Sequence, residues 1–309
     1  MTWLPRSMGP REDEIPEGEI LAGKYRAERV LGAGAMGVVV QVRHLENEKI
    51  SALKFLRPSV ARDPSATVRF LREAEAAGRI QNPHVVQISD VGTLASGMPY
   101  LVMEYLEGVT LEARLKSGPA LDVETACGLA LQACEGLAAA HVTGVIHRDI
   151  KPANLTLCPR EGEVDLVKIL DFGVSKILDE NVGLTRTQTA LGSPLYMSPE
   201  QMRSARTADA RADQWSLGAV IYRMLTGRLP FNASSLPRVC VLVMEGSFTP
   251  MSALCPDLPE TLVAAVERCL KVDPNDRHGS VAELAEALAP FAGPEGEVSA
   301  ARCRKLLGQ

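Results

Sequence analysis

The sequence predicts an α+β, bilobal chain: a small antiparallel β-sheet lobe with one main helix, then a larger α-helical lobe. Three observations carry this. Strand-like runs rich in Val, Ile and Tyr crowd residues 25–104, separated by short Gly or Asn-Glu turns. One long helical pattern interrupts them, ATVRFLREAEAAGRI, built from good helix formers and stopping before Asn82-Pro83. After Gly108 the texture changes to helix: a long run with Asp122 as its N-cap ends near Gly144, and others lie around 211–226, 259–271 and 280–290.

Residues 1–24, rich in Pro and Glu at the start, are expected to form a flexible arm. YRAERVL, VVVQVRH and ISALKFL then read as consecutive strands, and HVVQISDVGTL and PYLVMEY as two more. The joint between lobes falls near 104–108, giving an N-lobe of 25–104 and a C-lobe of 105–291. Two short strands flank the Pro-Arg-Glu-Gly loop at 159–162. Ser280 caps the last of these helices, with Val281, Leu284 and Leu288 on one face. The tail 292–309, which closes on AARCRKLLGQ, is expected to be a frayed end.

At 309 residues and 46% hydrophobic content the chain can bury a sizeable core, and 23% charged residues make it ordinary globular material. A net charge of −5 and a pI near 5.7 argue against a nucleic-acid partner, which calls for a basic domain or stripe. None of the seven cysteines stands as C-x-x-C or joins a His cluster, so reduced thiols in a cytoplasmic protein are expected. The N-terminus lacks the apolar core of a signal peptide. The most apolar long window, CGLALQACEGLAAAHVTGVI, contains Glu135, Gln132 and His141 and is rich in Ala and Gly. It reads as a buried helix and not as a membrane span.

Between Arg29 and Arg43 the chain reads VLGAGAMGVVVQV, in which Gly32, Gly34 and Gly37 spell G-x-G-x-x-G. Such a pattern cradles phosphate either at a strand-to-helix turn or as the tip of a β-hairpin over ATP. Here three consecutive valines follow the last glycine, and β-branched residues favour strand over helix. No helix start is available to receive a pyrophosphate. The hairpin reading survives, and other parts then follow in order. Lys54 alternates with apolar residues in the third strand, where its ammonium could reach the α- and β-phosphates. Glu73 lies on the following helix, where it could pair with Lys54.

Next come HRDIKPANL at 147–155, ILDFG with Asp171, Phe172 and Gly173, GSPLYMSPEQ at 192–201, DQWSLG at 213–218 and DPNDR at 273–277. With these in place the sequence resembles the protein kinase family over roughly 25–291, and within it the bacterial eukaryotic-like serine/threonine kinases. Taken singly, HRD reads as a surface turn, Asp171 as a turn cap, and Glu200 with Arg277 as a structural ion pair. None of these readings predicts the shared order.

The resemblance implies a protein kinase-like fold and transfer of phosphate from ATP, with Mg²⁺ or Mn²⁺, to protein Ser and Thr hydroxyls. Gly32, Ala33, Gly34, Ala35, Met36 and Gly37 would cover the phosphates. Leu31, Val39 and Ala52 would sandwich adenine, with Glu104 to Leu106 giving it backbone hydrogen bonds. Asp149 would take the hydroxyl proton, and Lys151 would hold the γ-phosphate. Asn154 and Asp171 would ligate the metal, offering the oxygens Mg²⁺ prefers. Thr185 and Thr187 would be phosphorylated in trans, through self-association, and meet a basic pocket of Arg148, Arg69 and Lys176. The wording departs from the family in places: SALK at the lysine, Ser-Pro-Glu at 198–200, Gln214, and His278 after Arg277. None of these removes a catalytic group. An interaction module of the same fold that had lost catalysis is the alternative, but it would normally lack Lys54, Asp149 or Asp171, and all three are present.

Overall fold

The computed structural model describes residues 15–34, 37–94, 96–161, 164–172, 194–204 and 208–308. Chain contacts divide it into two compact units, Met1–Gly78 with Gln87–Tyr105, and Arg79–Val86 with Leu106–Gln309.

The first unit is a six-stranded antiparallel sheet: β1 (Ile20–Leu21), β2 (Tyr25–Ala33), β3 (Gly37–His44), β4 (Ile50–Leu56), β5 (Ile88–Thr93) and β6 (Pro99–Glu104), in the order β1-β2-β3-β4-β6-β5. The period of two sorts its side chains. Val38, Val40, Val42, Leu53, Phe55, Tyr100 and Val102 share one core. By register the opposite face carries Val39 against Lys54, and Ala52 against Met103. Helix α1 (Pro58–Ala61) is one turn, and α2 (Pro64–Gly78) buries Ala66, Phe70, Ala74 and Ala77 and packs on β5 and β6. That helical spacing keeps Arg69 and Glu73, one turn apart, half-buried on α2.

Two sequence expectations are corrected here. The arm was expected to run to residue 24, but Ile20 and Leu21 pair with Arg26 and Tyr25 and Leu21 is buried, because the turn at 22–24 folds them back onto β2. HVVQISDVGTL is not one strand. His84 and Val86 bond instead to both sides of Ile169 in the second unit, at 2.9 and 3.0 Å, and only Ile88–Thr93 joins the sheet. Backbone partners, which periodicity does not encode, decide this split.

The second unit is helical, with α3 (Leu111–Ser117), α4 (Val123–Val142), α5 (Pro199–Arg203), α6 (Arg211–Thr226), α7 (Leu236–Glu245), α8 (Met251–Leu254), α9 (Glu260–Cys269), α10 (Val281–Leu288) and α11 (Gly296–Leu307). A small sheet joins β7 (Val109–Thr110), β8 (Leu155–Cys158) and β9 (Leu166–Ile169). Asp122 caps α4 by accepting from the Thr125 amide at 2.8 Å, and the Ser280 hydroxyl caps α10. α4 is buried along most of its length and touches β9, α6, α10 and α11, so it is apolar nearly all round. No described helix is long and apolar enough to cross a membrane.

The frayed end expected at 292–309 is also corrected. Gly296–Leu307 is a helix whose Ser299, Ala300 and Cys303 are buried, and it lies on α4. Ser299 donates to the buried Glu135 carboxylate at 2.6 Å. Burial pushes the Glu135 carboxyl above its usual range, against the opposing pull of the Ser299 bond and of Arg302.

Candidate active site

In the first unit, Gly34 and Gly37 close the β2–β3 hairpin, the Gly34 amide donating to the Gly37 carbonyl at 2.9 Å. The three glycines differ. A Cβ on Gly37 would collide with the Phe55 carbonyl oxygen, because β3 and β4 approach closely there. A Cβ on Gly32 or Gly34 would meet nothing within 4 Å, and neither has a positive φ. Packing among the described residues therefore explains Gly37 and leaves Gly32 and Gly34 to another cause. Leu31, Gly32, Ala33 and Gly34 are all exposed. Ala35 and Met36 lie outside the described residues.

Lys54 is buried in β4, on the sheet face it shares with Val39 and Ala52. Met103 on β6 joins that face opposite Ala52, a residue the sequence reading did not single out. Its signal was the strand run YLVMEY, whose period of two puts Met103 on the same face as Leu101. Glu104 ends β6; its amide donates to the Gln87 carbonyl at 2.9 Å, and its side chain accepts from the Gln87 amide at 2.8 Å. Tyr105 is held through its hydroxyl by Arg29 at 2.8 Å. Leu106 begins the second unit's main segment.

In the second unit, 147–154 folds tightly around one carboxylate. Lys151 Nζ lies 2.7 Å from Asp149 Oδ2, and the Asn154 side-chain amide donates to the Asp149 carbonyl at 2.8 Å and to Oδ2 at 3.1 Å. Pairing of Leu155 with Ile169 across β8 and β9, and the Leu170 amide bonded to the Asn154 carbonyl at 2.8 Å, bring Asn154 beside the segment that leads into Asp171. Backbone strain collects here. Arg148 and Asp171 both occupy the left-handed region, with φ of 65° and 59°, a conformation unfavourable for residues with a Cβ.

Asp213, at the start of α6, holds the strained turn at Arg148 in place. Its fully buried carboxylate accepts from the His147 amide at 2.9 Å, the Arg148 amide at 2.7 Å and His141 Nε2 at 2.8 Å. Burial alone would raise its pKa; the bond and charge of His141 and the amide donors more than offset this and hold it below the usual carboxylate value. His147 is positioned at both nitrogens: Nε2 donates to the Leu170 carbonyl at 2.7 Å, so Nδ1 accepts from the Asp149 amide at 3.2 Å. Its ring meets buried Phe172 edge-on at 4.6 Å. The sequence reading quoted DQWSLG but gave Asp213 no role and missed His141. The place of Asp213 in the DQWSLG motif, beside the buried Trp215, was the available signal.

Farther from Asp149, Arg277 reaches Glu200 through two bonds of 2.7 and 2.8 Å, donates to three backbone carbonyls and lies over Trp215 at 5.1 Å. Its donors are satisfied inside the unit.

Residues 25–288 match the protein kinase domain family. The chain belongs to the protein kinase family. Serine/threonine-protein kinase pkn3 of Myxococcus xanthus is 36% identical over 276 residues, which is 88% of this chain and 50% of that protein. Serine/threonine-protein kinase PknB of Mycobacterium tuberculosis is 37% identical over 268 residues, 85% of this chain and 42% of that one. The chain thus spans half or less of the curated relatives it matches. The crystal structure of the M. tuberculosis PknI kinase domain superposes with a TM-score of 0.72 at 29% identity, covering 91% of this chain and all of the other.

The kinase family implies ATP, a divalent cation and protein substrates. The residues of this kinase domain fit those groups. Gly32 and Gly34 leave room for a ligand to approach the backbone. Asn154 spends its amide nitrogen on Asp149, which leaves its carbonyl oxygen as the hard donor a divalent cation prefers. Of the expected regulatory residues, Arg148 has a buried Nε without a hydrogen-bond partner among the described residues, while its Nη2 donates to the Ala208 carbonyl at 3.1 Å. Arg69 lies 3.7 Å from Asp63. Thr185, Thr187 and Lys176 lie outside the described residues.

Proposed function

We propose that this kinase domain, residues 25–291, transfers the γ-phosphoryl group of ATP, with Mg²⁺ (or Mn²⁺), to Ser and Thr hydroxyls of proteins. The observation that carries the reading is Asp149, held by Lys151 and Asn154 on a strained backbone that a buried carboxylate anchors. ATP supplies the phosphoryl group, and the chain supplies position and charge. Asp149 orients the acceptor hydroxyl and takes its proton, and Lys151 offsets charge on the phosphate. Asn154 and Asp171 hold the cation. Lys54, positioned by Glu73, binds the α- and β-phosphates under the backbone of Gly32 to Gly37. Leu31, Val39 and Ala52 clasp the base, and the backbone of Glu104 to Leu106 hydrogen-bonds to it.

Phosphorylation of Thr185 and Thr187 by a second copy is the proposed switch, since a buried guanidinium such as Arg148 calls for an anion. All seven cysteines are free thiols, which supports a reducing, cytoplasmic compartment. The presence of Lys54, Asp149 and Asp171 supports catalysis over a purely binding role.

The test is ³²P transfer to a generic protein substrate, with the mass of the purified protein read alongside. Asp149→Asn should lower kcat by roughly 10²–10⁴-fold while ATP still binds. Lys54→Met should abolish transfer and remove any phosphate from 180–195. Normal turnover by Asp149→Asn refutes the assigned base.

A further inference from the structure

A groove of about 700 Å³ opens on the second unit beside Lys151, the partner of Asp149. Its lining carries four cations, Lys116, Lys151, Arg223 and Arg228, against one carboxylate, Glu112. That carboxylate is already shared. Arg223 donates to it at 2.6 Å from α6, and Lys116 lies 3.2 Å away, one turn along α3. Arg223 also donates to the Tyr196 hydroxyl at 2.6 Å, so it serves the wall of the groove and is largely sheltered. Lys116 and Arg228 differ from it. Both are exposed, and Arg228 has no ion pair among the described residues. In a chain of net charge −5 this is a positive island, and it adjoins the residue pair that the proposed chemistry uses. Leu195, Leu229 and Pro230 add apolar surface.

We propose that this groove receives the stretch of protein substrate flanking the acceptor hydroxyl, and that Lys116 and Arg228 select acidic side chains in that stretch. The proposal rests on the protein kinase reading above and adds the substrate class to it. The occupant follows from charge: an acidic segment gains two exposed cations without displacing the Arg223–Glu112 pair, whereas a basic segment meets uncompensated like charge. Exposed pairs are individually weak and screened, so selection is graded and falls with salt.

The experiment uses two fluorescent peptides with the same central Ser, one flanked by Asp and Glu and the other by Lys and Arg. Binding is read by anisotropy without nucleotide, and phosphorylation is read separately. The wild-type chain should bind the acidic peptide roughly 5- to 10-fold more tightly at low salt, with the preference fading towards 0.5 M salt. Lys116→Ala with Arg228→Ala should remove the preference, and Lys116→Glu with Arg228→Glu should reverse it, at unchanged KM for ATP and unchanged Tm. Equal affinity of the wild-type chain for the two peptides overturns the proposal, as does a preference that survives the double alanine variant. If the preference appears but neither peptide is phosphorylated, the groove binds acidic segments and its assignment to the substrate stretch is overturned.

Discussion

At the scale of single residues, G-x-G-x-x-G divides into a structural position and two that structure leaves unexplained. Gly37 sits where β3 approaches β4 too closely for a Cβ, and Gly32 and Gly34 face open space. The prediction is a split. Gly37→Ala should destabilise the fold by about 1–3 kcal/mol through displacement of the Phe55 carbonyl. Gly34→Ala should leave stability within roughly 0.5 kcal/mol but weaken ATP binding. Thermal melts with and without Mg-ATP separate the two; a Gly34 variant that loses stability alone would make that glycine structural. The glycine spacing was legible in the sequence, yet the division of labour was not, because the collision partner is a carbonyl on another strand. Asp213 is a parallel case: its residue type was visible, but its three donors come from His141, His147 and Arg148, far away along the chain.

Among elements, α4 and α11 show how a composition signal can point to the wrong cause. Glu135 counted against a membrane span, and its actual partner is Ser299 on a helix where the sequence promised a frayed end. Short amphipathic ends carry little periodicity, and the stability of α11 comes from the α4 face it covers. Ser299→Ala should cost about 1–3 kcal/mol, since it removes a hydrogen bond from a carboxylate already disfavoured by burial. Urea denaturation checks this, and the double variant with Glu135→Gln should recover part of the loss. An unchanged midpoint in Ser299→Ala would mean that α11 is held by its apolar contacts alone. The strand run HVVQISDVGTL teaches the same lesson: its composition marked it as extended, and only the bonds to Ile169 assign its first residues to the second unit.

For the molecule as a whole, buried histidine sets an acid limit. His84 is 5% exposed, and its Nδ1 donates to the Val167 carbonyl at 3.2 Å. Burial lowers its pKa to about 4 from the ordinary 6.5. Glu135 lies 3.9 Å from a ring that is therefore neutral near pH 7, so the two are neighbours and not an ion pair. A folded pKa below the unfolded one means that the unfolded chain takes up the proton first. Stability from this site is complete above pH ~6.5, falls as pH drops towards 4, and is gone below it. The loss between pH 7 and pH 5 should be about 2 kcal/mol from His84 alone. Urea midpoints at the two pH values check it, with His84→Gln expected to flatten the dependence. A variant as acid-sensitive as the wild type would place the titration elsewhere, for instance at His278, whose pKa burial also lowers.

The sequence by itself determined what repeats or recurs along the chain. β-Branched runs between turns placed β2 to β4, helix formers ending before Asn82-Pro83 placed α2, capping residues placed the starts of α4 and α10, and the ordered motifs from Gly32 to Arg277 marked the family. These are local patterns, and local sterics and hydrogen bonding suffice to express them. Tertiary structure alone decided which distant groups meet. It put Asp213 under the backbone of His147 and Arg148, Ser299 against Glu135, and Lys116, Arg223 and Arg228 around one groove beside Lys151. Each of these contacts joins residues from different elements. Their partners are fixed by packing of the whole unit, and no spacing along the chain records them.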